Sequence, residues 1–124
     1  MDHAPKILLA EDEASLGTII AESLETTGFA VTHVTNGKEA LQLLTAGTFD
    51  LALLDVMMPE MDGLTATREI RKLPEWKKLP IIMLTAKAMK DDQERCLNAG
   101  ANDYMAKPLD VEKLLSLVRV WMPR

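Results

Sequence analysis

Short apolar runs alternate along this chain with segments whose apolar residues recur every three or four positions. The first run, Lys6–Ala10, stops abruptly at three acidic residues, which is typical of a buried strand that ends at a polar edge. From Ser15 the apolar positions keep helical spacing until Gly28, and glycine commonly ends a helix. The pattern therefore predicts a strand followed by a helix.

This pattern of strand and helix recurs four more times. The predicted later strands cover 29–34, 51–54, 80–84 and 103–106, and the predicted later helices cover 40–47, 64–73, 89–98 and 111–120. The run at 51–54 has no polar position, as in a strand that is covered on both faces. Five such units predict an α/β fold, with a parallel sheet, right-handed crossovers and helices on both faces.

Length and composition fit one globular domain. The chain has 124 residues, of which 48% are apolar, so its core needs no disulfide or structural metal. We expect the domain to cover residues 6–122, between tails at 1–5 and 123–124. The single Cys96 permits no internal disulfide, no apolar run approaches the roughly 20 residues that cross a bilayer, and the first residues lack the features of a signal peptide. A cytoplasmic location without a membrane span is the expectation.

Charge is unevenly distributed along the chain. Residues 1–62 hold 11 acidic and 2 basic side chains, whereas residues 63–124 hold 8 acidic and 12 basic ones. The formal net charge of −5 argues against direct nucleic-acid binding, which needs a basic surface to displace counterions. The acidic side chains of the first half are either a solvated surface or part of a site, and their positions decide between the two.

Polar residues follow four of the predicted strands, at the edge where parallel sheets bind ligands. Carboxylates forced together repel one another, so a divalent cation or a lysine must neutralise them. Oxygen ligands favour Mg²⁺ over Zn²⁺, and neither His3 nor His33 has a partner with which to bind a metal. The residues at these strand ends are Glu11, Asp12, Asp55, Thr85, Ala86 and Lys107.

Together these residues suit phosphoryl transfer. With a cation on the acidic pair, Asp55 can act as a carboxylate nucleophile toward a phosphoryl group. Such transfer needs in-line positioning and neutralisation of the equatorial oxygens, which Mg²⁺, the Lys107 ammonium, the Thr85 hydroxyl and nearby backbone N–H groups can supply. Each residue alone has an ordinary structural explanation, and only their joint placement indicates a site.

Four segments of the chain stand out as motifs. They are Ile7-Leu-Leu-Ala-Glu-Asp-Glu13, Leu53-Leu-Asp-Val-Met-Met-Pro-Glu-Met-Asp-Gly63, Thr85-Ala86 and Gly100-Ala-Asn-Asp-Tyr-Met-Ala-Lys-Pro108. In order and spacing they resemble the receiver domain of two-component response regulators, over nearly the whole chain. The resemblance implies a doubly wound, flavodoxin-like sheet of five βα units with strand order 2-1-3-4-5.

The resemblance also implies roles for individual residues. Asp55 matches the phospho-acceptor of the family, and Glu11 and Asp12 match its acidic metal pair. Lys107 matches the lysine that contacts the phosphoryl group, and the backbone carbonyl of Met57 matches a further metal ligand. The implied Mg²⁺ ligands are therefore Glu11, Asp12, Asp55 and Met57, and the backbone groups expected on the phosphoryl oxygens are those of Met57 and Ala86.

Thr85 and Tyr104 match the switch pair of the family. Phosphorylation of Asp55 adds charge and acceptor oxygens that should draw the Thr85 hydroxyl inward, and this leaves space into which the Tyr104 ring can turn. The surface of helix four, strand five and helix five would then change by a shift between two conformers. The resemblance implies a signalling domain and not a conventional enzyme, with self-phosphorylation and autodephosphorylation chemistry.

The implied phosphodonor is a histidine kinase or a histidine phosphotransfer protein that docks against helix one. We expect a monomer or a weak dimer, with a downstream target that the sequence does not specify. The segments at 85–90, 96–104 and 114–122 resemble receivers of hybrid sensor histidine kinases more than those of winged-helix transcription factors, which usually have an aromatic residue in place of Leu109. A single-domain receiver is the other form that fits.

Three alternatives use similar parts. A haloacid-dehalogenase-type phosphatase also has an Asp nucleophile with Mg²⁺, but it needs a second Asp two residues later, where this chain has Met57. A flavodoxin needs a hydroxyl- and glycine-rich loop after strand one to bind phosphate, whereas this chain has an acidic triplet there. A pseudo-receiver that only binds proteins usually lacks one or more of the five site positions, all of which are present here.

Overall fold

The structure of the protein, a computed structural model, describes residues 4–86, 90–107 and 110–123. Each predicted strand and helix is present, although the predicted start of the fourth helix, Met89, lies outside the described residues. None of the helices in these ranges is long and apolar enough to cross a membrane. The strands are β1 (Lys6–Ala10), β2 (Ala30–Val34), β3 (Leu51–Asp55), β4 (Ile81–Thr85) and β5 (Asp103–Ala106), and the helices are α1 (Ala14–Thr26), α2 (Gly37–Ala46), α3 (Gly63–Lys72), α4 (Lys90–Ala99) and α5 (Val111–Trp121).

The five strands form one parallel sheet in the order β2-β1-β3-β4-β5, which confirms the predicted flavodoxin-like topology. The chain runs outward from β1 to β2 and then crosses back to β3, so the strand order reverses between β1 and β3. Ala10 pairs with Leu54 at the carboxyl end of this junction. Glu11, which follows β1, and Asp55, the last residue of β3, therefore lie at the reversal point, where sheets of this kind bind ligands.

Helices cover both faces of the sheet and create two apolar cores. Leu44 of α2 and Ile70 of α3 are buried in one core, and Leu24 of α1 and Val118 of α5 are buried in the other. Because successive strand residues point to opposite faces, an apolar strand supplies both cores at once. All five residues of β3 are buried, which confirms the two-sided cover expected from its continuous apolar run.

Side-chain caps and glycines set the helix ends. Asn36 and Asp62 accept hydrogen bonds from N–H groups in the first turns of α2 and α3, and so satisfy donors that a helix start leaves unpaired. Gly28 and Gly100 follow α1 and α4 with φ of 104° and 116°, a conformation that glycine adopts readily.

One local element departs from the prediction. Between α3 and β4, where the sequence predicts a loop, Pro74–Trp76 form a turn of 3₁₀ helix. Pro74 has no N–H to continue α3, but its fixed φ suits the first position of a new helical turn. The indole Nε1 of Trp76 donates to the carbonyl oxygen of Leu44 at 2.8 Å, so this turn is attached to α2.

Arg71, on α3, joins three chain segments. Its guanidinium donates to the carbonyl oxygens of Gly100 (2.9 Å) and Trp76 (2.8 Å) and to Oδ1 of Asn102 (2.9 Å). The same Oδ1 accepts from the N–H of Ile81 at 2.9 Å, so this hydrogen-bond network extends to the start of β4. Burial lowers the pKa of Arg71 from its ordinary value, but a guanidinium remains charged in proteins.

Replacing Arg71 by lysine tests this junction. A single ammonium cannot reproduce the planar fork that serves three acceptors, so we expect Arg71→Lys to lower the free energy of unfolding by about 2 kcal/mol. Urea denaturation measures the change. Arg68→Lys, at an exposed position of the same helix, is the matched control and should change the free energy by less than about 0.5 kcal/mol. Equal effects of the two substitutions would contradict this role of Arg71.

Candidate functional site

The carboxyl ends of β1, β3 and β5 bring three charged side chains into contact. Lys107 follows β5 directly, and its N–H donates to the carbonyl oxygen of Thr85 at 2.7 Å, which ties it to the end of β4. Its side chain reaches across β4 toward β3 and β1. The Nζ atom lies 2.7 Å from Oδ2 of Asp55 and 2.9 Å from Oε1 of Glu11. Glu11 and Asp55 are 44 positions apart in sequence and Asp55 and Lys107 are 52 apart, yet their side chains form one cluster.

Three carboxylates in this cluster are arranged as a group that could hold a metal ion. One oxygen each of Glu11, Asp12 and Asp55 lies within 4.8 Å of the other two. Glu11 is fully buried and Asp55 is 3% exposed, whereas Asp12 is exposed. The group therefore has two carboxylates fixed inside the fold and one on the solvent side, where an ion can enter.

Burial and neighbouring charges have opposite effects on the pKa of Lys107. Burial lowers the pKa of Lys107, but its contacts with Asp55 and Glu11 outweigh burial and raise this pKa above its ordinary value. The ammonium is therefore charged beside the two carboxylates at neutral pH. One ammonium still leaves an excess of negative charge when Asp12 is included, and that excess favours a cation.

Glu11 provides a direct test of fit for a divalent cation. Its Oε2 accepts from the N–H of Glu13 at 3.1 Å. Its Oε1 is fully buried, and Lys107 Nζ lies 2.9 Å from it as an ion-pair partner. The one ammonium is shared with Asp55, so the two buried carboxylates are incompletely neutralised, and a hard cation coordinated by their oxygens would supply further positive charge. The donor set, made of oxygens alone, fits Mg²⁺.

Asp55 is held between Lys107 and the loop that follows it. Its Oδ2 accepts from Lys107 Nζ, and its Oδ1 accepts from the N–H of Met57 at 3.3 Å. The N–H of Gly63 returns to the carbonyl oxygen of Val56 at 3.0 Å, and a Cβ at Gly63 would collide with the Asp55 carbonyl oxygen. Glycine at this position therefore lets the loop close tightly over the end of β3. Met57, two residues after Asp55, is 71% exposed.

Thr85 and Tyr104 lie on neighbouring strands. Thr85 pairs with Ala106, and Met83 pairs with Tyr104. Since paired residues of parallel strands point to the same side, Thr85 and Tyr104 share one sheet face as diagonal neighbours. Thr85 is buried and Tyr104 is half-buried against the core beneath α2, α3 and α4. Tyr104 is thus a diagonal neighbour of Thr85 and lies outside the charged cluster.

Two grooves open beside the cluster. One, of about 350 Å³, passes between Met57 and Ala86 toward Asp92 and Arg95 of α4. The other, of about 510 Å³, runs along α1, where its lining residues are Glu13, Leu16, Ile19, Ile20, Ala86, Lys107 and Val111. Within the described residues, the predicted positions Met57, Thr85 and Ala86 therefore surround the cluster, while Glu11, Asp12, Asp55 and Lys107 form it.

His33 lies near the site although the sequence pattern assigns it no role there. Its Nε2 is 2.8 Å from the backbone carbonyl oxygen of Glu11. The glycine at position 17, within α1, was the available signal. A Cβ at Gly17 would collide with the His33 ring, so this helical glycine makes room for the imidazole.

Comparison with known proteins connects this arrangement to a family. The model of the response regulator receiver domain matches residues 7–119. The phosphate regulon transcriptional regulatory protein PhoB of Rhizobium meliloti is 38% identical over 120 residues, which cover 97% of this chain and 53% of that regulator. The chain likewise spans about half the length of several other relatives that it matches.

Solved structures give the same result. The receiver domain of the sensor histidine kinase PA1611 from Pseudomonas aeruginosa, which has a magnesium ion coordinated in its active site cleft, is 39% identical, with a TM-score of 0.89 and coverage of 96% of this chain and 98% of that one. The chemotaxis response regulator CheY4 of Vibrio cholerae is 28% identical, with a TM-score of 0.92 and coverage of 97% and 100%. With the family model matching most of its length, this chain belongs to the response regulator receiver domains of two-component signalling.

Proposed function

We propose that this receiver accepts a phosphoryl group on Asp55 from a phosphohistidine of a partner protein, with Mg²⁺ bound by Glu11, Asp12, Asp55 and the carbonyl of Met57. The observation that carries the proposal is the position of Asp55, whose carboxylate has Lys107 on one side and the acidic pair on the other. A buried aspartate that only capped a turn would need neither a lysine nor two further carboxylates.

The transfer is a displacement at phosphorus. A carboxylate oxygen of Asp55 forms the new P–O bond while the P–N bond of the phosphohistidine breaks, and the electron pair of that bond returns to the imidazole nitrogen. Lys107 moves its hydrogen bond from the carboxylate to a phosphoryl oxygen, and the N–H groups of Met57 and Ala86 bind the other oxygens. Mg²⁺, when bound, neutralises charge on the phosphoryl oxygens. Water later hydrolyses the acyl phosphate, which resets the domain.

The phosphoryl group would change the partner-binding surface through Thr85 and Tyr104. New acceptor oxygens beside Thr85 favour a conformer in which its hydroxyl turns toward Asp55. The Tyr104 ring, a diagonal neighbour on the same face, then occupies the space beside β4. This change alters the surface of α4, β5 and α5, and a downstream partner that prefers one conformer shifts the equilibrium between the two.

The groove along α1 fits the phosphodonor. Ile19, a large apolar side chain 53% exposed to solvent, lines it together with Leu16 and with Lys107 of the cluster. An apolar helix face beside the nucleophile suits a helical partner that presents its phosphohistidine at the groove. We propose a histidine kinase or histidine phosphotransfer protein in this role, in the cytoplasm, with the domain acting as a monomer or weak dimer. Attachment to a hybrid kinase stays a prediction.

The role of Asp55 is tested by phosphorylation in solution. Incubation with Mg²⁺ and acetyl phosphate should add one phosphoryl group to the native protein, detected by intact-mass spectrometry, and Asp55→Asn should remove this adduct because an amide is a poor nucleophile. Asp50→Asn, at the exposed position just before the opposite end of β3, is the matched control and should be labelled like the native protein. Equal labelling of both variants would refute the assignment and favour a pseudo-receiver.

The cation site is tested through Asp12. We expect Asp12→Ala to weaken Mg²⁺ binding by about tenfold or more, because it removes one oxygen ligand and one charge. Calorimetric titration measures the affinity. Glu25→Ala makes the same change of charge at an exposed position near the far end of α1, and it should leave the affinity unchanged. An unchanged affinity in Asp12→Ala would exclude direct ligation by this residue.

Lys107 is tested by removing its charge while keeping its length. Lys107→Met should slow phosphorylation by acetyl phosphate by about a hundredfold, because it deletes a preorganised donor for the phosphoryl oxygens. Circular dichroism should show a retained fold. Lys113→Met, exposed on α5, controls for the loss of a positive charge and should react at the native rate. If Lys107→Met also reacted at that rate, Lys107 would have no part in the transfer.

A further inference from the structure

His33 occupies a position that fixes the backbone of the acidic pair. It lies on β2, on the sheet face that α1 covers, and its Nε2 is 2.8 Å from the carbonyl oxygen of Glu11. A carbonyl oxygen only accepts hydrogen bonds, so the proton of this bond is on Nε2 of the imidazole. The N–H of the same residue, Glu11, donates to the carbonyl oxygen of Val34 at 3.0 Å. β2 therefore holds Glu11 by both of its backbone groups.

The bond from His33 acts at the peptide that joins Glu11 to Asp12. Consecutive residues of an extended strand point to opposite faces, yet one carboxylate oxygen from each of these neighbours lies within 4.8 Å of the other. The backbone must therefore turn between them. Because the peptide group is planar, holding the Glu11 carbonyl oxygen also fixes the orientation of the N–H of Asp12. It thereby fixes the direction of the backbone as it enters Asp12.

Gly17 shows that the fold makes room for this imidazole. Gly17 is buried in α1, and a Cβ there would collide with Cε1 and Nε2 of the His33 ring. Glycine is unfavourable within a helix, and here its missing side chain leaves the space that the imidazole fills. The Glu11 carbonyl oxygen, the His33 ring and α1 therefore meet at one point, next to the candidate metal ligands.

We propose that His33 is a positioning residue for the cation site: its Nε2–H orients the peptide between Glu11 and Asp12, so that both carboxylates face one divalent cation. The proposal rests on the cation site of the proposed function and adds to it a residue that touches neither the ion nor the phosphoryl group. It acts through Glu11, as residues behind metal ligands commonly do.

The test compares three variants of the full chain by Mg²⁺ titration. Calorimetry measures the affinity, and NMR measures the amide shifts of Glu11 and Asp12 during the titration. His33→Phe keeps a ring but has no donor, and we expect about tenfold weaker Mg²⁺ binding. His33→Gln places an amide N–H near the position of Nε2 and should restore most of the affinity. Gly17→Ala retains donor and acceptor but displaces the ring, so it should also weaken binding.

A matched control separates positioning from general loss of stability. Ile70→Val shortens a buried side chain of α3, in the core on the opposite face of the sheet, and should lower the melting temperature without changing Mg²⁺ affinity. Native affinity in His33→Phe would overturn the proposal, as would equal weakening in His33→Phe and His33→Gln. Asp12→Ala separates this proposal from the proposed function: native affinity in that variant would remove Asp12 from the proposed ligands, whereas native affinity in His33→Phe alone would remove only the positioning role.

Discussion

Two carboxylates buried side by side are stable only with a compensating charge, and this constraint governs the carboxyl edge of the sheet. Glu11 and Asp55 are both inside the fold, and Lys107 contacts each of them. The ammonium offsets part of their repulsion, and it pairs with both Oδ2 of Asp55 and Oε1 of Glu11. With Asp12 nearby, three carboxylates surround one ammonium, so the site is incompletely neutralised and suits a divalent cation.

The sheet connects the charged cluster to the neighbouring strands. Lys107 is bonded through its backbone to Thr85 at the end of β4, and Tyr104 lies on β5 diagonally across from Thr85. The switch proposed for these two residues therefore needs to act only across two paired strands. Arg71 bonds to the carbonyl oxygen of Gly100 after α4 and, through Asn102, to the start of β4, so α3 is tied to both elements at the end of the sheet away from the cluster.

Much of this was predictable from the sequence because it depends on short-range pattern. Apolar runs and helical spacing predicted all five strands and helices, and the polar residues at strand ends predicted a site at one edge. The role of Arg71 was not predicted, since two of its acceptors lie in distant segments. The 3₁₀ turn at Pro74–Trp76 is a local element, and its proline was interpreted only as the end of α3. The sequence offers His33 no partner for a metal site, and its contact with the Glu11 carbonyl, 22 residues away in sequence, is visible only in the structure.

The sequence by itself determined the fold class, the edge of the sheet that carries the site and the residue types available there, because periodicity and strand ends are local properties. Only the tertiary structure decided that Lys107 reaches two carboxylates, that Glu11 is fully buried while Asp12 faces solvent, and that a helical glycine accommodates an imidazole. These facts depend on the register between strands and the packing of helices against them, and such distances are set by contacts between residues far apart along the chain.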